Sequence, residues 1–225
     1  MDTVDIIIES SMSFYNEIKN DKNCRYSSWE YCYFSFINAR GQKDIDYEYL
    51  GLQLAFYLAS WGMYRGSSFL LQKDFKIHIP VVKEILKPIY NDLAGVSCSE
   101  FKRVDIQNKL LAINDFLDSY YGEIRRSIKG ELLKSNVSNT LITKILLGTL
   151  GCVPAYDRYF ISGIKSRKVA SGIYNIKSIL QLATFYESNF DRLEAIRYNM
   201  LVNNLLYPPM KLIDMGFWKI GYNLS

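Results

Sequence analysis

Between residues 106 and 124 the apolar side chains Ile106, Leu110, Ile113, Leu117, Tyr120 and Ile124 fall always three or four positions apart. Only an α-helix places such a series on one face, and that face must be buried against another element. The spacing recurs at Leu50, Leu54, Tyr57, Leu58 and Trp61, and Ile6, Ile7, Phe14 and Ile18 suit an amphipathic first helix. No stretch carries a convincing strand or hairpin pattern. The expected fold class is therefore all-α: a compact multi-helix protein, one domain over residues 1–225, with two helical lobes around a cleft as the variant arrangement.

Local signals set the expected boundaries. Ser27 with Glu30 three residues on reads as a capping box, S-x-x-E, opening a second helix that runs to Ala39. A third helix is expected over 46–63, broken by "RGSS". Pro80 suits the first turn of a fourth helix, which Pro88 would kink. The long helix covers 104–128 and stops near Gly130, and further helices are expected over 176–186, 190–203 and 209–220.

Composition narrows the chemistry. With 225 residues, 49% hydrophobic and 22% charged, the chain can bury a core without covalent staples. Cys24, Cys32, Cys98 and Cys152 show neither CxxC pairing nor metal spacing, and the amino terminus lacks the pattern of a signal peptide. A reduced, cytoplasmic protein is expected. No apolar run reaches the length of a membrane span: the nearest, 137–153, is interrupted by Thr140, Thr143, Lys144 and Thr149. His78 is the only histidine and, lying just before Ile79-Pro80, reads as a turn residue. Ser-His-Asp, Cys-His and multi-histidine metal chemistry are therefore poorly supported, and no glycine-rich Walker loop is present. Neither a metal nor a cofactor is expected.

Charge is concentrated. Residues 125–168 hold nine basic side chains against the two acids Glu131 and Asp157, a net +7 that leaves −3 for the rest of the chain. A polyanion would be drawn to this region, although solvated helix ends would give the same count. Within it, "KSNVSNTLITKILLGTLG" reads as a polar turn, an N-cap at Ser138 or Asn139 and an apolar helix closed by Gly151. Val153-Pro154 then forces an extended connection. Asp157 falls in the first turn of the next helix, through about Lys165, where unpaired amides and the helix dipole stabilise a carboxylate. A helix cap alone would account for the acid; a catalytic carboxylate aimed into a pocket is the competing explanation.

The order of helix, short turn with a central valine, helix ending in glycine, and Val153-Pro154-Ala155-Tyr156-Asp157 at a helix start resembles the helix-hairpin-helix DNA glycosylases. Asn136-Val137-Ser138 would stand at the hairpin, with Asp157 twenty residues after Val137. The likeness covers about residues 130–168, inside a degenerate helix-hairpin-helix region of about 120–168. Both hairpin glycines are replaced, which weakens the expected grip of backbone amides on a phosphate. The resemblance implies that Asp157 stabilises the cationic sugar formed as a base leaves deoxyribose, or orients the attacking water. The position of the family's Schiff-base lysine falls near Ser138 or Asn139, which implies a monofunctional hydrolase leaving an abasic site. The iron–sulfur cysteines of some relatives are missing.

The implied partner is double-stranded DNA with a flipped, modified base. A phage-defence type acting on hypermodified DNA, such as glucosylated hydroxymethylcytosine, is the substrate that the resemblance suggests, and it would need a roomy polar pocket. Tyr156 and Tyr159 are candidate pocket rings, joined by Trp61, Tyr64 and Arg65 from "YLASWGMYRGSSFLLQ" and by Trp29 and Glu30 from "SSWEYCYF". Core packing, a helix end and the capping box are their plain alternatives. Lys134, Asn136, Ser138, Asn139, Arg158, Lys165, Arg167 and Lys168 are the candidate DNA contacts. The rival expectation is a non-catalytic helical module of a phage or defence system that binds nucleic acid or an acidic protein. A helical ribonuclease stands third, without the Arg-x4-6-His signature of one common helical family.

Overall fold

The computed structural model describes residues 2–129 and 137–225, which are predominantly helical, as the periodicity requires. α1 (Thr3–Asn20) opens on a capping box: Asp2 accepts the Asp5 backbone N–H at 2.8 Å, and Asp5 accepts that of Asp2. α2 (Ser28–Ala39) corrects one expectation. Residues 25–27 already wind as a 3-10 turn, so Ser27 has helical backbone angles (φ −61°, ψ −18°) and its hydroxyl caps nothing. An N-cap side chain reaches the first amides from an extended backbone, which Ser27 does not have. Glu30 is instead buried against Lys19, at 2.5 Å, and the Tyr207 hydroxyl.

α3 (Tyr47–Ser60) is capped by Asp46, and α4 (Ile79–Ile85) carries Pro80 in its first turn. Pro88 does not kink α4; it starts a separate 3-10 turn over Pro88–Leu93. α5 (Val104–Lys129) buries Ile106, Leu110, Ile113, Leu117 and then Tyr121, with Tyr120 only half-buried. α6 (Asn139–Thr149), α7 (Arg158–Ser166), α8 (Ile176–Glu187) and α9 (Phe190–Arg197) follow. The helix expected over 190–203 ends at Arg197, because the chain turns into the two-residue strands β1 (Leu201–Val202) and β2 (Leu205–Leu206). Asn203 and Asn204 between them both take positive φ, 47° and 65°, a conformation asparagine tolerates in tight hairpins. α10 (Pro209–Asn223) completes the chain.

Two helices form the centre. Every residue from Leu141 in α6 to Leu150 is buried, and so is every residue of α10 from Pro209 to Trp218. A helix apolar nearly all round must be enclosed on all sides. α10 packs against α7 and α1, and α6 against α2, α3 and α5. One contiguous apolar cluster runs from Val4 to Ile220.

His78 is not a simple turn residue. It is fully buried, its Nδ1 2.5 Å from the Tyr121 hydroxyl and its Nε2 2.6 Å from that of Tyr64. The ring thereby ties the segment before α4 to α5 and to the turn after α3. Burial pushes the imidazole pKa down from 6.5 to about 3, so the folded protein holds it neutral while the unfolded chain protonates it below 6.5. Between pH 6.5 and 3 the unfolded state binds the extra proton, and stability falls as pH falls. His78→Gln should remove that component: between pH 6 and 4 its unfolding free energy, measured by urea titration, should fall less steeply than that of the parent by about 1 kcal/mol per pH unit.

Candidate active site

Gly151, at φ +64°, ends the turn after α6; a Cβ there would collide with Pro208 and Tyr33. The following strap, Cys152 to Tyr156, is irregular and wholly buried, so its backbone polar groups need partners. The Ala155 N–H donates to Asp214 Oδ1 of α10 at 2.9 Å, and the Tyr156 N–H to Thr143 Oγ1 of α6 at 2.9 Å. Thr140 Oγ1 of α6 donates to the Tyr156 carbonyl, also at 2.9 Å. The strap is thus stitched to both central helices and delivers Asp157 to the start of α7.

Asp157 is the N-cap of α7, with extended backbone (φ −91°, ψ 175°). Its Oδ1 accepts the N–H groups of Tyr159 and Phe160, both at 3.1 Å, which meets the capping expectation. Its Oδ2 lies 3.2 Å from Lys144 Nζ, and the side chain, 14% exposed, forms part of the wall of a recess of about 350 Å³. That volume lies within the roughly 300–1,000 Å³ of small-molecule sites. A larger recess of about 770 Å³ runs along α8, lined by Ile176, Leu180 and Phe185 with Lys168 and Lys177. No carboxylate lines it, whereas the smaller recess brings a carboxylate, a buried lysine and aromatic rings together.

In the sequence Lys144 stands out as a break in an apolar run and as one of the nine basic residues of 125–168, not as a partner of Asp157. Its side chain is 3% exposed, with the ammonium 4.8 Å from the Trp61 ring centroid as well as against Asp157. Directly behind, Lys211 is buried between Trp29 and Trp61, its ammonium 4.8 and 5.2 Å from their centroids and 3.1 Å from Asp214 Oδ2. Burial lowers the Lys211 pKa and raises that of Asp214, while each charge holds the other in place. Trp61, Tyr26, Trp218, Tyr222 and Tyr159 line the recess as a continuous set of rings, with the Trp218 and Tyr222 rings stacked at 5.1 Å. The only advance signal for Lys144 is a charge inside an otherwise apolar helix, and for Trp218 and Tyr222 their spacing of four.

Of the candidate residues, Asp157, Tyr159, Trp61, Arg65 and Arg158 line this recess, joined by the unforeseen Arg25, Tyr26 and Lys144. Four pocket candidates do not line it. Tyr156 is core, its hydroxyl 2.8 Å from Ser178 Oγ; Tyr64 is held by His78; and Glu30 is held by Lys19 and Tyr207. Trp29 is buried, stacked on Tyr33, with Nε1 donating to the Leu147 carbonyl at 2.9 Å. In each case the polar atom finds a protein partner, as burial demands.

The described candidate DNA contacts are not gathered into one face beside Asp157. Arg158 stands at the recess, but Lys165, Arg167 and Lys168 occupy the other end of α7, about 12 Å along the helix. Ser138 caps α6 by accepting the Leu141 N–H at 3.3 Å, and it and Asn139 are exposed. Lys134 and Asn136 lie outside the described residues. Among the described residues no group of three His, Cys, Asp or Glu could hold a metal, and no helix is long and apolar enough to cross a membrane. All four cysteines are free, three of them buried.

The position of α7 depends on two glycines. A Cβ on Gly163 would overlap the Phe217 carbonyl of α10, and one on Gly221 the Tyr159 carbonyl of α7. Gly163→Ala and Gly221→Ala should each destabilise the fold by about 3 kcal/mol, lowering Tm in calorimetry by roughly 6–12 °C. Gly122→Ala, where the added carbon meets only the flexible Arg126 side chain, should leave Tm near its parent value. Compared with protein-family models, curated proteins and solved structures, the chain finds no match.

Proposed function

We propose that the chain is a monofunctional DNA glycosylase that hydrolyses the N-glycosidic bond of a flipped, modified base, with Asp157 as the catalytic carboxylate. The observation that carries this reading is that Asp157 caps α7 with one oxygen while its side chain forms part of the wall of an aromatic, cationic recess. A base taken out of a duplex costs a few kcal/mol, which stacking on rings such as Trp61, Tyr159 and Trp218 would offset. As the bond breaks, charge builds on the sugar; a carboxylate held by two amides cannot rotate away, so it is preorganised to stabilise that charge or to orient water. A pocket with both rings and charged donors suits a base bearing a hydroxyl-rich substituent, such as glucosylated hydroxymethylcytosine in phage DNA, and an antiviral role follows from such a substrate.

One observation favours the second reading, a binding module without catalysis. Lys144 already pairs with Asp157 Oδ2 and offsets much of the field that the carboxylate would exert on a cationic sugar. The two readings separate in one experiment. Asp157→Asn keeps a capping residue but strands the Lys144 ammonium, which should cost about 3–5 kcal/mol of stability; adding Lys144→Met removes that stranded charge. On a panel of modified and unmodified duplexes, with alkali to reveal abasic sites, the parent should release base from at least one modified duplex. The single and double variants should both fall by about 10²–10³-fold, while the double variant recovers most of the lost stability. Base release that survives in the double variant removes Asp157 as catalyst, and no abasic product from the parent on any duplex favours the binding module.

A further inference from the structure

The recess that contains Asp157 is lined by four cations, Arg25, Arg65, Lys144 and Arg158, against one carboxylate, a net charge of +3. Lys144 is satisfied by Asp157; the three arginines are not so paired. Elsewhere Arg103, Arg192 and Arg197 each bind carboxylates, but Arg25, Arg65 and Arg158 make no ion pair with any described residue. They come from three separate segments: the 3-10 turn before α2, the turn after α3 and the first turn of α7. Two are held by the recess's own rings. The Arg25 guanidinium lies 4.8 Å from the Tyr26 centroid and donates to its hydroxyl at 2.9 Å; that of Arg158 lies 4.4 Å from the Tyr159 centroid and donates to its hydroxyl.

Three exposed guanidiniums converging on one opening repel one another, and among the described residues no carboxylate forms an ion pair with them, Asp157 being paired with Lys144. An anion of fixed geometry would. Guanidinium matches phosphate oxygens in a planar, two-pronged fashion, and orientation on a ring leaves less freedom to lose on binding. We infer that Arg25, Arg65 and Arg158 form a phosphate-binding rim that grips the phosphodiesters on either side of a nucleotide inserted into the recess. This rests on reading the recess as a nucleotide site but not on cleavage there. It also separates the insertion step from Lys165, Arg167 and Lys168, which stand at the far end of α7 and can only hold the polymer at a distance.

The test uses a fluorescein-labelled duplex of about 20 base pairs containing one tetrahydrofuran residue, which has no base to release, so a failure of glycosylase activity leaves the readout untouched. Binding is followed by anisotropy from 50 to 200 mM salt. Each of R25Q, R65Q and R158Q should weaken binding about five- to tenfold, and the triple variant should lower the slope of log K against log salt by about 2–3. Neutral methylphosphonates on the two sides of the tetrahydrofuran should weaken the parent to a similar degree and the triple variant hardly further, since the same contacts are lost. The inference is overturned if the triple variant keeps the parental slope, or if methylphosphonates and arginine changes act additively. Displacement of the probe by millimolar nucleoside monophosphate, with excess unlabelled duplex ineffective, would also overturn it, by assigning the rim to a free nucleotide. Because all three side chains are exposed, the variants should retain the parental circular dichroism, which is recorded alongside.

Discussion

The pair of Lys211 and Asp214 inside α10 is the interaction on which the site depends. Asp214 spends one oxygen on the Lys211 ammonium and the other on the Ala155 N–H, so a single buried carboxylate both neutralises a cation in the core and pins the strap that leads to Asp157. Without it, Ala155 would present an unmatched amide in an apolar interior and Lys211 an unmatched charge beneath Trp29 and Trp61. Either is costly, and the two are removed together. The cost of burying four charges in one region is tolerated because each is paired: Lys211 with Asp214, Lys144 with Asp157.

Trp61 links the two pairs. Both ammonium groups lie near its ring, at 4.8 Å for Lys144 and 5.2 Å for Lys211, and its outer surroundings are the rings of Tyr26 and Trp218 that line the recess. The aromatic wall is therefore backed by charge, and its cations pull on the negative faces of the rings. The recess wall is held by ring packing, cation contacts and the Lys144–Asp157 ion pair, with the Lys211–Asp214 pair behind Trp61. α7 can lie close enough to complete this wall only because Gly163 and Gly221 let its backbone meet that of α10.

Much of the fold was legible from spacing. Apolar residues at three and four residue steps located α3 and α5, an amphipathic pattern located α1, and the polar start and glycine end of α6 were readable from Ser138 and Gly151. What spacing missed follows from competition between neighbours. Ser27 and Glu30 carry a capping pattern, but Glu30 meets Lys19 and Tyr207, which are 11 and 177 residues away, and those partners win. The hairpin at Asn203-Asn204 was hidden because strands of two residues have no period to detect. His78 read as a turn residue because nothing local shows that Tyr64 and Tyr121 will converge on it.

Residue type and order alone determined that Asp157 would follow an extended Val-Pro strap at a helix start, because proline excludes the helical region for its predecessor and a carboxylate satisfies the first amides. Tertiary structure alone decided that this carboxylate would share a recess with Lys144, Trp61, Trp218 and three arginines, and that Tyr156, Trp29, Tyr64 and Glu30 would not. The reason is physical: capping is settled within three residues of chain, whereas the neighbours of a recess come from α3, α6, α7 and α10, whose relative placement is set by core packing that no local pattern records.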